Sequence, residues 1–90
     1  MTMLVRWGEV RGYYRHSYRE ISVLMEYDGP NRIYAKFVGG ALWCIWEYRK
    51  GLGWVIADTD NNRDIGMKAK PRHQNILDET YQRLLMEEVS

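Results

Sequence analysis

Asp58, Asp60, Asn62 and Asp64 stand at alternate positions of the run Asp58-Thr59-Asp60-Asn61-Asn62-Arg63-Asp64-Ile65. Oxygen donors at that spacing are what a calcium loop offers its ion, with an apolar residue where Ile65 sits. Two positions break the pattern. Arg63 takes the place of the turn glycine, and Ala69 takes the place of the glutamate that closes such a site with two oxygens. With half the ligand set missing, the run is a weak metal candidate. It reads instead as an Asx-rich turn closing a strand, and no metal or cofactor is expected.

A second group of residues suits nucleic acid. Arg11, Arg15 and Arg19 are interleaved with Tyr13, Tyr14 and Tyr18, cations that pair phosphates beside rings that stack on bases. Lys68, Lys70 and Arg72 extend such a surface if the fold brings them near. The third group is an aromatic excess: one Phe, four Trp and seven Tyr in 90 residues. Tyr, Trp and Arg are enriched at protein interfaces because they combine contact area with a hydrogen bond at small entropic cost. Tyr13, Tyr14, Tyr34, Trp43, Trp46 and Trp54 are more rings than one short helix can hide. They are therefore the candidate protein-binding residues.

Val55-Ile56-Ala57 followed by Asp58-Thr59-Asp60 locally resembles the D-x-D after a buried strand in haloacid-dehalogenase-like phosphotransferases. The likeness ends with those residues. That family's sheet alternates with helices over a longer chain, for which 90 residues leave no space. Ser17 and Ser22 lack a nucleophile-elbow context, and Cys44 falls in an apolar strand where a thiol is inert. An enzyme assembled from Asp58, Asp60, His16 and His73 is kept as the third reading, behind protein and nucleic-acid binding.

Alternation of apolar and polar residues supplies the frame that must position these groups. Glu20 to Tyr27 puts Ile21, Val23, Met25 and Tyr27 on one face, broken on the other only by Leu24. Asp28-Gly29-Pro30-Asn31 signals a turn, and Arg32 to Val38 alternates again. Gly39-Gly40 suits a two-residue hairpin into Ala41 to Arg49. Trp54 to Asp58 follows, apolar on both faces, so these last strands expect cover on both sides. Thr2 to Trp7 reads as a further strand. A helix is expected from about Asn75, with Asn75 as N-cap and Leu77, Tyr81, Leu84 and Leu85 on its buried face.

The chain is expected to be one α+β domain, an antiparallel β-meander of four to five strands with one C-terminal α-helix packed on one face. Residues 1–19 would form an N-terminal strand and basic, aromatic segment, 20–58 the meander, 59–73 a polar and basic loop, and 74–89 the helix. A 46% hydrophobic and 28% charged composition excludes wholesale disorder, and a net charge of +1 selects no partner. The apolar run Ala41 to Trp46 is too short to span a bilayer, so no membrane association is expected. A single cysteine excludes an internal disulfide and fits the cytoplasm. The function expected is non-catalytic binding of another protein, with a homodimer, in the manner of a steric inhibitor or adaptor. A phage or mobile-element blocker of a host enzyme is the class analogy. The alternative is a nucleic-acid-binding module using the Arg/Tyr surface.

Overall fold

Strand alternation and one amphipathic stripe account for the architecture. The computed structural model describes residues 1–9, 20–60 and 62–89. Five strands, β1 (Thr2–Glu9), β2 (Glu20–Tyr27), β3 (Arg32–Phe37), β4 (Trp43–Arg49) and β5 (Gly53–Thr59), precede a short 3-10 turn at Asn62–Asp64 and the helix α1 (Pro71–Val89). The sheet is wholly antiparallel in the order β1-β2-β3-β4-β5. This is the expected α+β meander. The N-terminal basic and aromatic segment, including Arg11, Tyr13, Tyr14, Arg15, His16 and Arg19, lies outside the described residues.

The β2–β3 turn forms as its residues require. Gly29 and Asn31 both take left-handed φ, 109° and 59°, and the Asn31 N–H donates to the Tyr81 hydroxyl at 2.8 Å, tying the turn to the helix. The β3–β4 connection departs from expectation. Of its two glycines only Gly39 has a positive φ (83°), and the pairing stops at Lys36↔Trp43, so the loop is longer than two residues. The chain instead runs irregularly from Val38 to Leu42, with Phe37 N–H donating to Leu42 O at 3.0 Å. The extra length lets Leu42 pack on the core.

The β5 edge is covered by the residues that follow it. Gly66 N–H donates to Ile56 O, Ile56 N–H to Met67 O and Ala69 N–H to Trp54 O, at 2.8, 2.9 and 3.0 Å. An edge strand with its polar groups satisfied in this way is not a template for further pairing.

The helix begins earlier than its N-cap signal suggests. Pro71 is its first residue, and Gln74 N–H donates to Lys70 O at 2.8 Å. Proline suits the first helical position, because its fixed φ is helical and its missing N–H would have no partner there. Asn75 therefore lies inside the helix, and the expected loop 59–73 yields its last residues to the first turn. That shift brings His73 into the stripe His73, Leu77, Thr80 and Leu84, all buried. Tyr81 and Leu85 flank the stripe half-buried, and Glu79, Arg83 and Glu87 face solvent.

The core lies between this stripe and one face of the sheet. Trp7, Val23, Met25, Ile33, Ala35, Phe37, Cys44, Trp46, Trp54 and Ile56 all point toward the helix. The indole of Trp7 on β1 reaches within 5.9 Å of that of Trp46 on β4. A flat sheet would hold those backbones roughly 14 Å apart at ~4.8 Å per strand. The gap is closed by the reach of the two side chains and by the twist of the sheet. His73 stacks on Trp7 at 4.4 Å, so the first turn of α1 seals this end of the core.

Candidate protein-binding face

Among the described residues, no helix lies over the face of the sheet turned away from α1. The residues of that face follow from parity. Leu4, Leu24, Lys36 and Trp43 form one row across β1 to β4, because each is paired to the next in the ladder. Thr2, Glu26, Tyr34, Ile45 and Asp58 form the next row across β1 to β5. The two rows meet in a ring pair: Tyr34 and Trp43 stack with centroids 6.2 Å apart and planes at 27°. Both are half-buried. A shallow depression beside them is lined by Leu24, Lys36, Val38, Gly39 and Trp43. Leu4 and Val38 are more than half exposed, at 66% and 53%.

The expected aromatic site is thus divided by the sheet. Tyr34 and Trp43 lie on this outer face. Trp46 and Trp54 do not, and their place among the surface anchors is corrected: they are 0% and 1% exposed and fill the core. Trp54 is held there from several directions. Its indole N–H donates to Asp78 Oδ1 at 2.6 Å, and its backbone N–H donates to Gln74 Oε1 at 2.7 Å. Gln74 Nε2 donates back to Trp54 O at 2.9 Å and to Ala69 O at 3.1 Å. Cover on both sides of the last strands is only partly realised. Val55 on the outer side is buried, beside its bridge to Lys68, while Trp43 and Ile45 stay half-exposed.

Leu4, Leu24, Val38 and Ile45 belong to the outer face although no motif marks them. Leu24 did carry a signal: it is the apolar residue that interrupts the polar side of β2. Lys36 shares the row of Trp43, with Arg6 one row further along, and Glu26 and Asp58 share the adjacent row of Tyr34. Further along, Arg32 binds Asp28 at 3.3 Å and Glu47 at 3.8 Å, and Arg49 binds Glu47 at 3.1 Å. Lys36, Glu26 and Asp58 enter no ion pair among the described residues.

The other candidates separate. Asp58 Oδ1 accepts from the Thr59 N–H at 2.9 Å and Asp60 Oδ1 from the Thr59 hydroxyl at 3.1 Å, so both carboxylates are drawn to Thr59. Asp64 is buried in the 3-10 turn and Asn62 is exposed. No group of three or more His, Cys, Asp or Glu converges among the described residues. His73 is buried on the helix side while Asp58 faces out, so the structure does not bring these members of an Asp/His site together. Lys68 and Lys70 on the approach to α1 and Arg72 in its first turn are all exposed. No helix among the described residues is long and apolar enough to cross a membrane. Comparison with protein-family models, curated proteins and solved structures finds no match to the chain.

Proposed function

We propose that this chain is a small non-catalytic protein-binding domain that works sterically, with the outer sheet face as its contact surface. The observation that carries the reading is the stacked Tyr34–Trp43 pair, half-buried beside exposed Leu24 and Val38 on the side away from the helix. Rings held in place by one another lose little freedom on binding, and a surrounding apolar rim excludes water from the contact. Lys36, Glu26 and Asp58 around the rings would set orientation and encounter rate. The lone cysteine, Cys44, is buried, and we place the activity in the cytoplasm.

The test is retention of partners on the immobilised chain, with and without nuclease, for the wild type and Trp43→Ala. A protein held after nuclease treatment by the wild type, and lost with a Trp43→Ala variant that keeps wild-type circular dichroism, is the expected result. Equal retention by both would overturn the outer face as the site. Retention of nucleic acid alone, weakening steeply with salt, would replace this reading with the strip Lys68, Lys70 and Arg72.

A further inference from the structure

We propose that the cleft between α1 and the β4–β5 end of the sheet binds an alkylated ammonium group, held by the Tyr48 and Tyr81 rings and the Asp78 carboxylate. The site lies on the helix side of the sheet, away from Trp43, and stands independently of the outer-face reading. Helical spacing puts Asp78, Tyr81 and Gln82 on one side of α1. Opposite them, Tyr48 on β4 is paired to Trp54 on β5, and Asn31 reaches in from the β2–β3 turn. These residues line a cleft of about 290 Å³. Small-molecule sites run from roughly 300 to 1,000 Å³, so this one takes a head group rather than a large ligand whole.

The rings and the charge are in place before any ligand arrives. Trp54 is the floor, 1% exposed. Tyr48 stands at 71° to it with centroids 5.7 Å apart, and Tyr81 at 58° and 5.5 Å. Tyr48 is 45% exposed and Tyr81 half-buried, so theirs is the aromatic surface a ligand meets. Tyr81 is fixed by its hydroxyl, which accepts the Asn31 N–H, and by Tyr27 stacked on it. The Trp54 indole N–H holds Asp78 Oδ1 at 2.6 Å. Asp78 enters no ion pair among the described residues.

A carboxylate without a counter-cation, set beside aromatic rings, suits a cation that the rings also attract. A bare ammonium is compact and holds its water firmly. An alkylated one offers methyl groups to the phenol faces and its charge to Asp78. Groups already fixed by their own contacts lose little freedom on binding it. A free quaternary ammonium compound and a trimethylated lysine side chain share this chemistry.

The test is a nuclear magnetic resonance titration of the full chain, followed at the Trp54 indole N–H with Trp43 as the outer-face reference. The probes are choline, its uncharged isostere with tert-butyl in place of trimethylammonium, and one peptide with its lysine trimethylated or unmodified. Choline or the trimethylated peptide is expected to shift the Trp54 signal saturably. The uncharged isostere and the unmodified peptide should bind at least about tenfold more weakly. Saturation by choline alone assigns a small molecule as ligand, and tighter binding of the trimethylated peptide assigns a protein side chain. Asp78→Asn keeps an oxygen for the indole but removes the charge, and should weaken binding about tenfold. Tyr48→Ala should do the same, while Tyr48→Phe, which keeps the ring, should not. Tyr48 lies at the surface, so its variants read the site even where Asp78→Asn disturbs the fold. Equal binding of choline and its isostere overturns the proposal. So does the absence of a saturable shift at Trp54, a shift at Trp43 alone, or a folded Tyr48→Ala that binds like the wild type. None of these outcomes alters partner retention through Trp43, which tests the outer face separately.

Discussion

The two faces of the sheet draw on the same residue types for opposite ends. β4 carries Trp43 and Trp46 three positions apart, and their fates differ by parity. Trp46 points at the helix and is fully buried, while Trp43 points away and shares its exposure with Tyr34. The inner face is closed by ring-to-ring contact, Trp46 on Trp7 on His73, with α1 laid across it. The outer face is closed by nothing comparable among the described residues. Indole content therefore does not separate core from surface in this chain. Position relative to α1 does.

The largest expected effect tests that division directly. Trp46→Ala removes a fully buried indole and leaves a cavity, at a cost of about 3–5 kcal/mol. That is a large share of the roughly 5–15 kcal/mol that holds an ordinary domain together. Trp43→Ala, on the same strand, should cost less, about 1–2 kcal/mol, since part of its ring already meets water and no closed cavity is left. Urea denaturation of the two variants side by side measures the contrast. Comparable losses from both would mean that the outer face is also core.

How much of this was legible follows from what decides each element. Period-two alternation fixes β2, β3 and β4, and parity alone would have assigned Trp43 and Trp46 to opposite faces. It could not say which face the helix takes. Ile45 and Val55 make the outer side of β4 and β5 look as apolar as the inner, so the rings of both sides were grouped as one surface. The helix start was hidden for a different reason. A proline after a basic stretch has the look of a breaker, yet proline is also a favoured first helical residue. Taking Pro71 so would have placed His73 four residues before Leu77 on the buried stripe. The Gly39-Gly40 pair signalled a turn, which is present, but its type depends on whether Leu42 can reach the core. Local sequence does not hold that information. Leu24 held the one clear hint of the outer patch, an apolar residue in an otherwise polar register.

A smaller effect sharpens how the inner face is held at its β5 side. Gln74 clamps the backbone of Trp54 from the first turns of α1, accepting its N–H and donating to its carbonyl. Neighbouring Gly53, at φ 79°, sits so close that a Cβ there would come 2.5 Å from Gln74 Oε1. Gln74→Ala leaves the Trp54 N–H without its acceptor in a buried setting, which costs about 1–3 kcal/mol. Gln74→Glu keeps an acceptor but sets a carboxylate oxygen against the Trp54 and Ala69 carbonyls, and should be no more stable than alanine. Thermal unfolding orders the three. A neutral Gln74→Ala would mean that water or a backbone shift replaces the clamp, and that ring packing alone seats Trp54.

The smallest effect marks where the inner face begins to meet water. Tyr27 closes β2 on the helix side and stacks on Tyr81 with centroids 5.9 Å apart. Its phenol is pushed above the ordinary value of 10.0, first by burial and then by Tyr81, as a charge and as a hydrogen-bond partner, with Glu88 adding a further push. The folded protein therefore holds this proton more tightly than the unfolded chain does. Stability linked to it is intact below pH 10.0 and is lost as the pH climbs from there through the raised folded value. Tyr27→Phe has no proton to lose at this position, so its stability should decline less over the same alkaline window. Chemical denaturation of the two proteins at a series of alkaline pH values reads the difference. Parallel declines would show that the Tyr27–Tyr81 contact is as wet as the outer ring pair, and that the boundary of the dry face lies deeper, at Trp54.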